Sequence, residues 1–134
     1  MTGAKFLTPL RTEKIGAQRW LLIDDLVFQS TDLKAVMIAP RGFQTDLASI
    51  PRSLWTLFPK VDIWDQPAVM HDAGYANALM TEHGDRVFMI KPLCDRLFNE
   101  GLKVVGVNPF KRQLMYRLVS MFGDPLGHPL ALHR

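Results

Sequence analysis

One cysteine among 134 residues, Cys94, leaves no internal disulfide possible. That absence points to a reducing compartment and excludes a small secreted scaffold held by cross-links. Long apolar runs are missing as well. Each hydrophobic stretch is cut by a charge or a proline before the roughly 18 residues that a membrane-spanning helix needs, so no transmembrane segment is expected. The opening "MTGAKFLTPLRTEK" has no apolar core of a secretory signal. Low-complexity tracts and internal repeats are absent. So is any concentration of positive charge: the 16 Lys and Arg residues outnumber the 13 Asp and Glu residues by only three, and they are scattered. No nucleic-acid-binding motif accompanies them, and nucleic acid is not an expected partner.

What is present suits a folded chain, with 48% hydrophobic and 22% charged residues. A chain of this length buries one core rather than two, so one domain over 1–134 is expected. It divides by texture into a β-rich part (1–43), an ordered loop (44–64), a helical part (65–123) and a tail (124–134). In the first part, "RWLLI" (19–23), "LVFQS" (26–30) and "KAVMIAP" (34–40) are rich in strand formers. A turn at Thr31-Asp32 separates the last two, which predicts a small antiparallel meander or hairpin closed by the Pro40-Arg41-Gly42 corner.

Three helices are predicted next. The first starts at Asp65 as N-cap, with Pro67 in its first turn, and runs to about Met80 with Ala68, Met70, Ala73, Ala76 and Leu79 as apolar surface. The second starts at Pro92 with a stripe of Leu93, Leu97, Phe98, Leu102 and Val105. The third has Asn108 as cap, Pro109 at its first position, Leu114, Leu118 and Val119 inward, and Gly123 as its stop. The fold class is therefore α+β: a small antiparallel β element, then three helices with an antiparallel pair.

"MHDAGY" (70–75) places ionisable groups inside a buried helix. His71 and Tyr75 are four apart and share a face, whereas Asp72 points about 100° away from His71. If the first two helices pack antiparallel, Asp95 reaches the His71 ring, and a histidine oriented by a carboxylate suits general-base chemistry. Asp46 and Asp72, with a backbone carbonyl of the loop, would form an all-oxygen site of the kind calcium prefers over zinc. Simpler readings stay open on the same residues. The His-Asp pair can be a structural ion pair, and Asp46 with Ser49 can be turn chemistry. Asp95 can pair with Arg52, Arg86 or Arg96 at the surface. The cluster of Trp55, Leu57, Phe58, Ile63 and Trp64, flanked by Arg52 and Lys60, fits a core, a lipid interface or a protein contact. A cell-wall amidase or peptidase is a weaker third reading, since such sites usually show a zinc or cysteine set: Cys94, next to Asp95, has no second histidine at a suggestive spacing, and His83, His128 and His133 fall in turn or tail segments.

The strings "GFQTDLASIPRSLW" and "AVMHDAGY", in this order, resemble a family of small phage and prophage proteins catalogued as a domain of unknown function (DUF1353). The resemblance covers nearly the whole chain. More distantly, "TDLAS", "HDAGY", "LCDRLFNEGL" and "YRLVSMFG" are similar in order to secreted bacterial phospholipases A2, which carry a T-D-L-C loop, an H-D-F-G-Y helix and a second helix with an aspartate. Carried over, that resemblance implies a phospholipase A2-like helical part. His71 would be the base that activates water, Asp95 its orienting partner, and Tyr75 a buttress. Asp72, Asp46 and the Leu47 carbonyl would hold calcium. Ala48 stands where those enzymes have the loop cysteine, and "EHGDRVFMIKP" reshapes the connection between the helices. The resemblances together imply a virion or tail component, placed in the particle or the host cytoplasm. Its partners would be other phage structural proteins and a phospholipid surface, with a non-catalytic structural or assembly role as the alternative.

Overall fold

The structure, a computed structural model, describes residues 3–17, 19–46 and 64–122, the side chains of 118–122 excepted. Its elements follow the order β1 (Lys5–Phe6), β2 (Thr12–Gly16), β3 (Arg19–Leu22), β4 (Leu26–Ser30), β5 (Ala35–Ala39), β6 (Gln44–Thr45), α1 (Asp65–Tyr75), α2 (Lys91–Val104) and α3 (Pro109–Phe122). The class is α+β, with strands preceding helices.

The strands form two antiparallel three-stranded sheets, β1-β4-β5 and β2-β3-β6. The hairpin expected over 26–40 is present, running from Leu26↔Ala39 to Ser30↔Ala35. Alternation sets its faces, so Leu26, Phe28, Met37 and Ala39 are buried. The 19–23 segment departs from the expected meander. It pairs with β2 and β6 rather than β4, because the Leu22 amide and carbonyl are taken by Phe43 and Gly42 at the corner after β5.

α1 is shorter than its apolar pattern predicts, ending at Tyr75 instead of about Met80. The stop is a Schellman motif: the Ala78 amide donates to the Ala73 carbonyl and the Asn77 amide to the Gly74 carbonyl. Asn77 takes the left-handed conformation that closes such a motif, φ 56°. Asp65 is the first helical residue and not the cap, a position held by Trp64 without a side-chain cap bond. Beyond the motif the chain is extended. Met80 exchanges both backbone hydrogen bonds with Ile38 on the β5 edge, and Val87 and Met89 pack inward while Phe88 and Ile90 point out. α2 ends in a second Schellman motif with Gly106 at φ 90°. The α3 start is capped as its sequence indicates, with Asn108 Oδ1 accepting from the Lys111 amide at 2.9 Å.

Two apolar clusters result. One joins the strands to α1 and α2 through Leu22, Leu26, Phe28, Val69, Met70 and Leu97; the other joins Trp64 and Ala68 to Phe98, Leu102 and Met115. α1 lies between them and is buried on every side from Pro67 to Tyr75. Among the described residues, no helix is long and apolar enough to cross a membrane.

Candidate functional site

The site lies on the seam between α1 and α2, and small residues set how close that seam is. A methyl group on Gly74 would lie 3.0 Å from Cys94 Sγ, and one on Gly101 would lie 3.1 Å from Pro67 Cβ. Rising numbers on one helix meet falling numbers on the other, so the pair is antiparallel. His71 and Asp95 fall between these two points of close approach. Their side chains are therefore brought face to face across the seam.

Asp95 is 2% exposed, and hydrogen-bonding groups from His71, Tyr75 and Lys91 converge on it. His71 Nε2 lies 2.9 Å from Oδ1, the Tyr75 hydroxyl donates to the same oxygen at 2.9 Å, and Lys91 Nζ donates to Oδ2 at 2.9 Å. Burying a carboxylate costs several kcal/mol unless such partners replace its water. Burial pushes the Asp95 carboxyl up. The bonds from His71, Lys91 and Tyr75, with the charge of His71, outweigh that push and hold the group below its ordinary value of 3.8. When the ring is neutral beside an ionised Asp95, Nε2 donates and the lone pair sits on Nδ1, the arrangement in which Nδ1 can take a proton. The ring itself is fixed by packing, its centroid 4.2 Å from that of Tyr75 and 5.1 Å from that of Phe98.

Asp72 turns toward the strands instead. Its Oδ2 accepts from the Thr45 hydroxyl, which ties α1 to β6. Asp46 follows Thr45 directly, so the carboxylate-bearing segment is brought to the Asp72 end of the helix. These are the hard oxygen donors that calcium takes. Leu47, the carbonyl donor of the same set, lies outside the described residues, and no group of three His, Cys, Asp or Glu side chains among the described residues could hold a metal ion. Of the aromatic cluster, Trp55, Leu57, Phe58 and Ile63 also lie outside them. Trp64 is 6% exposed and packs in the core, which removes it from any lipid-facing surface.

Cys94 is fully buried with its thiol pushed up to about 12, chiefly by desolvation and then by the charge of Asp95. It has no thiolate to act as a nucleophile. His83 is exposed in the turn before Arg86.

Two participants were not legible as such in the sequence. Lys91 stands just before the proline expected to start the second helix and so carries no role there, although its i, i+4 spacing to Asp95 is a detectable ion-pair signal. Glu100 reaches across to the β4–β5 turn, where its carboxylate accepts from the Ser30 hydroxyl at 2.6 Å and from the Thr31 and Asp32 amides at 2.8 and 3.0 Å. That bond set docks α2 on the hairpin and carries no spacing signal, since its partners are about 70 residues away.

No curated protein and no solved structure matches the chain. A family model does: the one described as "Protein of unknown function (DUF1353)" matches residues 20–119, a span running from β3 into α3 that contains His71, Asp72, Tyr75, Lys91 and Asp95. On that match, covering well over half of its length, the chain belongs to the DUF1353 family.

Proposed function

We propose that this is a phage or prophage protein, a virion- or tail-associated component whose His71–Asp95 pair acts as the general base of a phospholipase A2-like ester hydrolase. The observation that carries this reading is the 2.9 Å contact from His71 Nε2 to an Asp95 held ionised. The pairing leaves Nδ1 as the basic atom. In this reaction Nδ1 takes a proton from water as the water attacks an ester carbonyl, and Asp95 stabilises the imidazolium that forms. Tyr75 keeps the carboxylate in place. Asp72, with Asp46 and the Leu47 carbonyl, would hold calcium, which when bound supplies polarisation of the ester carbonyl. The substrate class follows from the phospholipase resemblance: a phospholipid ester of the host membrane.

The test is hydrolysis of phospholipid vesicles with calcium and with EGTA, comparing wild type with His71→Ala. The expected outcome is calcium-dependent release of fatty acid that falls by about 10²- to 10⁴-fold in the variant, the usual contribution of a general base. Undiminished hydrolysis by His71→Ala would end this reading.

A second reading has its own observation. His71 and Asp95 side chains are each 3% exposed, as befits a hydrogen-bonded network that only locks α1 to α2. On that reading the protein is a structural or assembly component of the particle without turnover. It requires the protein in purified particles, and its absence there would exclude it.

A further inference from the structure

His71 and Tyr75 both come from α1, and both address one oxygen of Asp95. The third partner differs in origin and in target. Lys91 stands one turn before Asp95 on the same helix and takes the other oxygen, Oδ2. Lys91 is also the first residue of α2, whose first turn contains no acidic residue. A cation there meets the positive end of the helix dipole, which local helix chemistry disfavours. Conflicts of this kind between a residue and its local element mark positions kept for another task. The side chain is 27% exposed, so water is within reach of it. The ammonium nevertheless turns inward, 6.0 Å from the centre of the Tyr75 ring and onto a carboxylate that is 3% exposed.

A carboxylate held through one oxygen can turn about its last torsion, because the energy wells of that torsion are broad. Held through both oxygens it cannot. We propose that Lys91 is the positioning residue of this site, its ammonium pinning Asp95 Oδ2 so that Oδ1 faces His71 Nε2 and the Tyr75 hydroxyl together. Lys91 acts on His71 only through Asp95, and it keeps the proton of the neutral ring on Nε2. The geometric role stands independently; its kinetic consequence rests on the reading of His71 as a base.

The experiment records nitrogen NMR shifts of the His71 ring in the full chain at about pH 8, where an unperturbed imidazole is neutral. Wild type, Lys91→Met and Lys91→Arg are compared, without substrate. Wild type should show the Nε2–H tautomer, and Lys91→Met should shift the ring towards the Nδ1–H form. Lys91→Arg, which keeps a cation on a stem long enough to reach, should restore the wild-type ring. A folded Lys91→Met with the wild-type ring spectrum overturns the proposal, as does an arginine variant that fails to restore it. Lys91→Ala gives the same comparison should the methionine variant not fold. Vesicle hydrolysis then separates the two ideas. A fall in kcat of about tenfold with KM unchanged accompanies the tautomer shift if His71 is the base. A shifted ring with undiminished hydrolysis supports the positioning role and refutes the base reading.

Discussion

His71, Tyr75 and Lys91 all address the Asp95 carboxylate, and they differ in what can be removed without disturbing the rest. Tyr75 allows the cleanest subtraction. Tyr75→Phe keeps the ring that packs on His71 and deletes only the hydroxyl that donates to Oδ1. A hydrogen bond to a buried charged group contributes about 1.5–3 kcal/mol. Urea denaturation of Tyr75→Phe should show a loss in that range, with most of it absent when the same change is made beside Asp95→Asn. Wild-type stability in Tyr75→Phe would mean that the hydroxyl contributes nothing to holding the carboxylate. The stretch "MHDAGY" therefore divides at the level of single side chains: His71 and Tyr75 serve α2, and Asp72 serves β6 through Thr45. Its glycine has a separate task, which is to let the helices meet.

That task makes a prediction at the level of elements. Gly74→Ala would gain about 1 kcal/mol in helix propensity, yet its methyl would sit 3.0 Å from the sulfur of a fully buried Cys94. Overpacking of this kind costs about 1–3 kcal/mol, so a net loss of about 1 kcal/mol is expected in denaturant unfolding. Removing the sulfur with Cys94→Ala should turn the same glycine substitution from a loss into a gain. An equal effect of Gly74→Ala in both backgrounds would show that the seam is looser than the distance implies. The elements also show which signals a sequence carries. The β4–β5 hairpin was legible in the alternation of "LVFQS" and "AVMIA" about a turn, and α3 in the pair Asn108-Pro109, because alternation and capping act over a few residues. The end of α1 was not, since "ANALM" continues the apolar pattern and an asparagine, rather than a glycine, closes the helix. The separation of β3 from β4 was equally hidden. It is decided by which partner takes the Leu22 backbone, and that partner is at the far end of the hairpin. The antiparallel facing of His71 and Asp95 could be anticipated from spacing, whereas the Glu100 clasp on the Thr31–Asp32 turn is a purely tertiary outcome.

Across the whole molecule, the buried charge is concentrated where the two apolar clusters meet. α1 carries Val69 and Met70 into one cluster and Ala68 into the other, and the His71–Asp95 pair bridges this helix to α2. Protonating Asp95 should therefore be felt as a loss of global stability and not as local fraying. Its carboxyl titrates below its ordinary 3.8 in the folded chain, so the folded state binds that proton less readily than the unfolded one. The stabilisation is then complete above about 3.8 and lost as pH falls through the lower, folded value. Asp95→Asn removes this contribution while leaving every other acidic group in place. At neutral pH the variant should be less stable by about 3 kcal/mol, the usual penalty for breaking a buried pair by removing one partner. The gap between variant and wild type, followed by urea unfolding at successively lower pH, should narrow as pH falls below about 3.8. A gap that stayed constant through the acid range would mean that Asp95 is not kept ionised by its partners, and the orienting role of the carboxylate would fall with it.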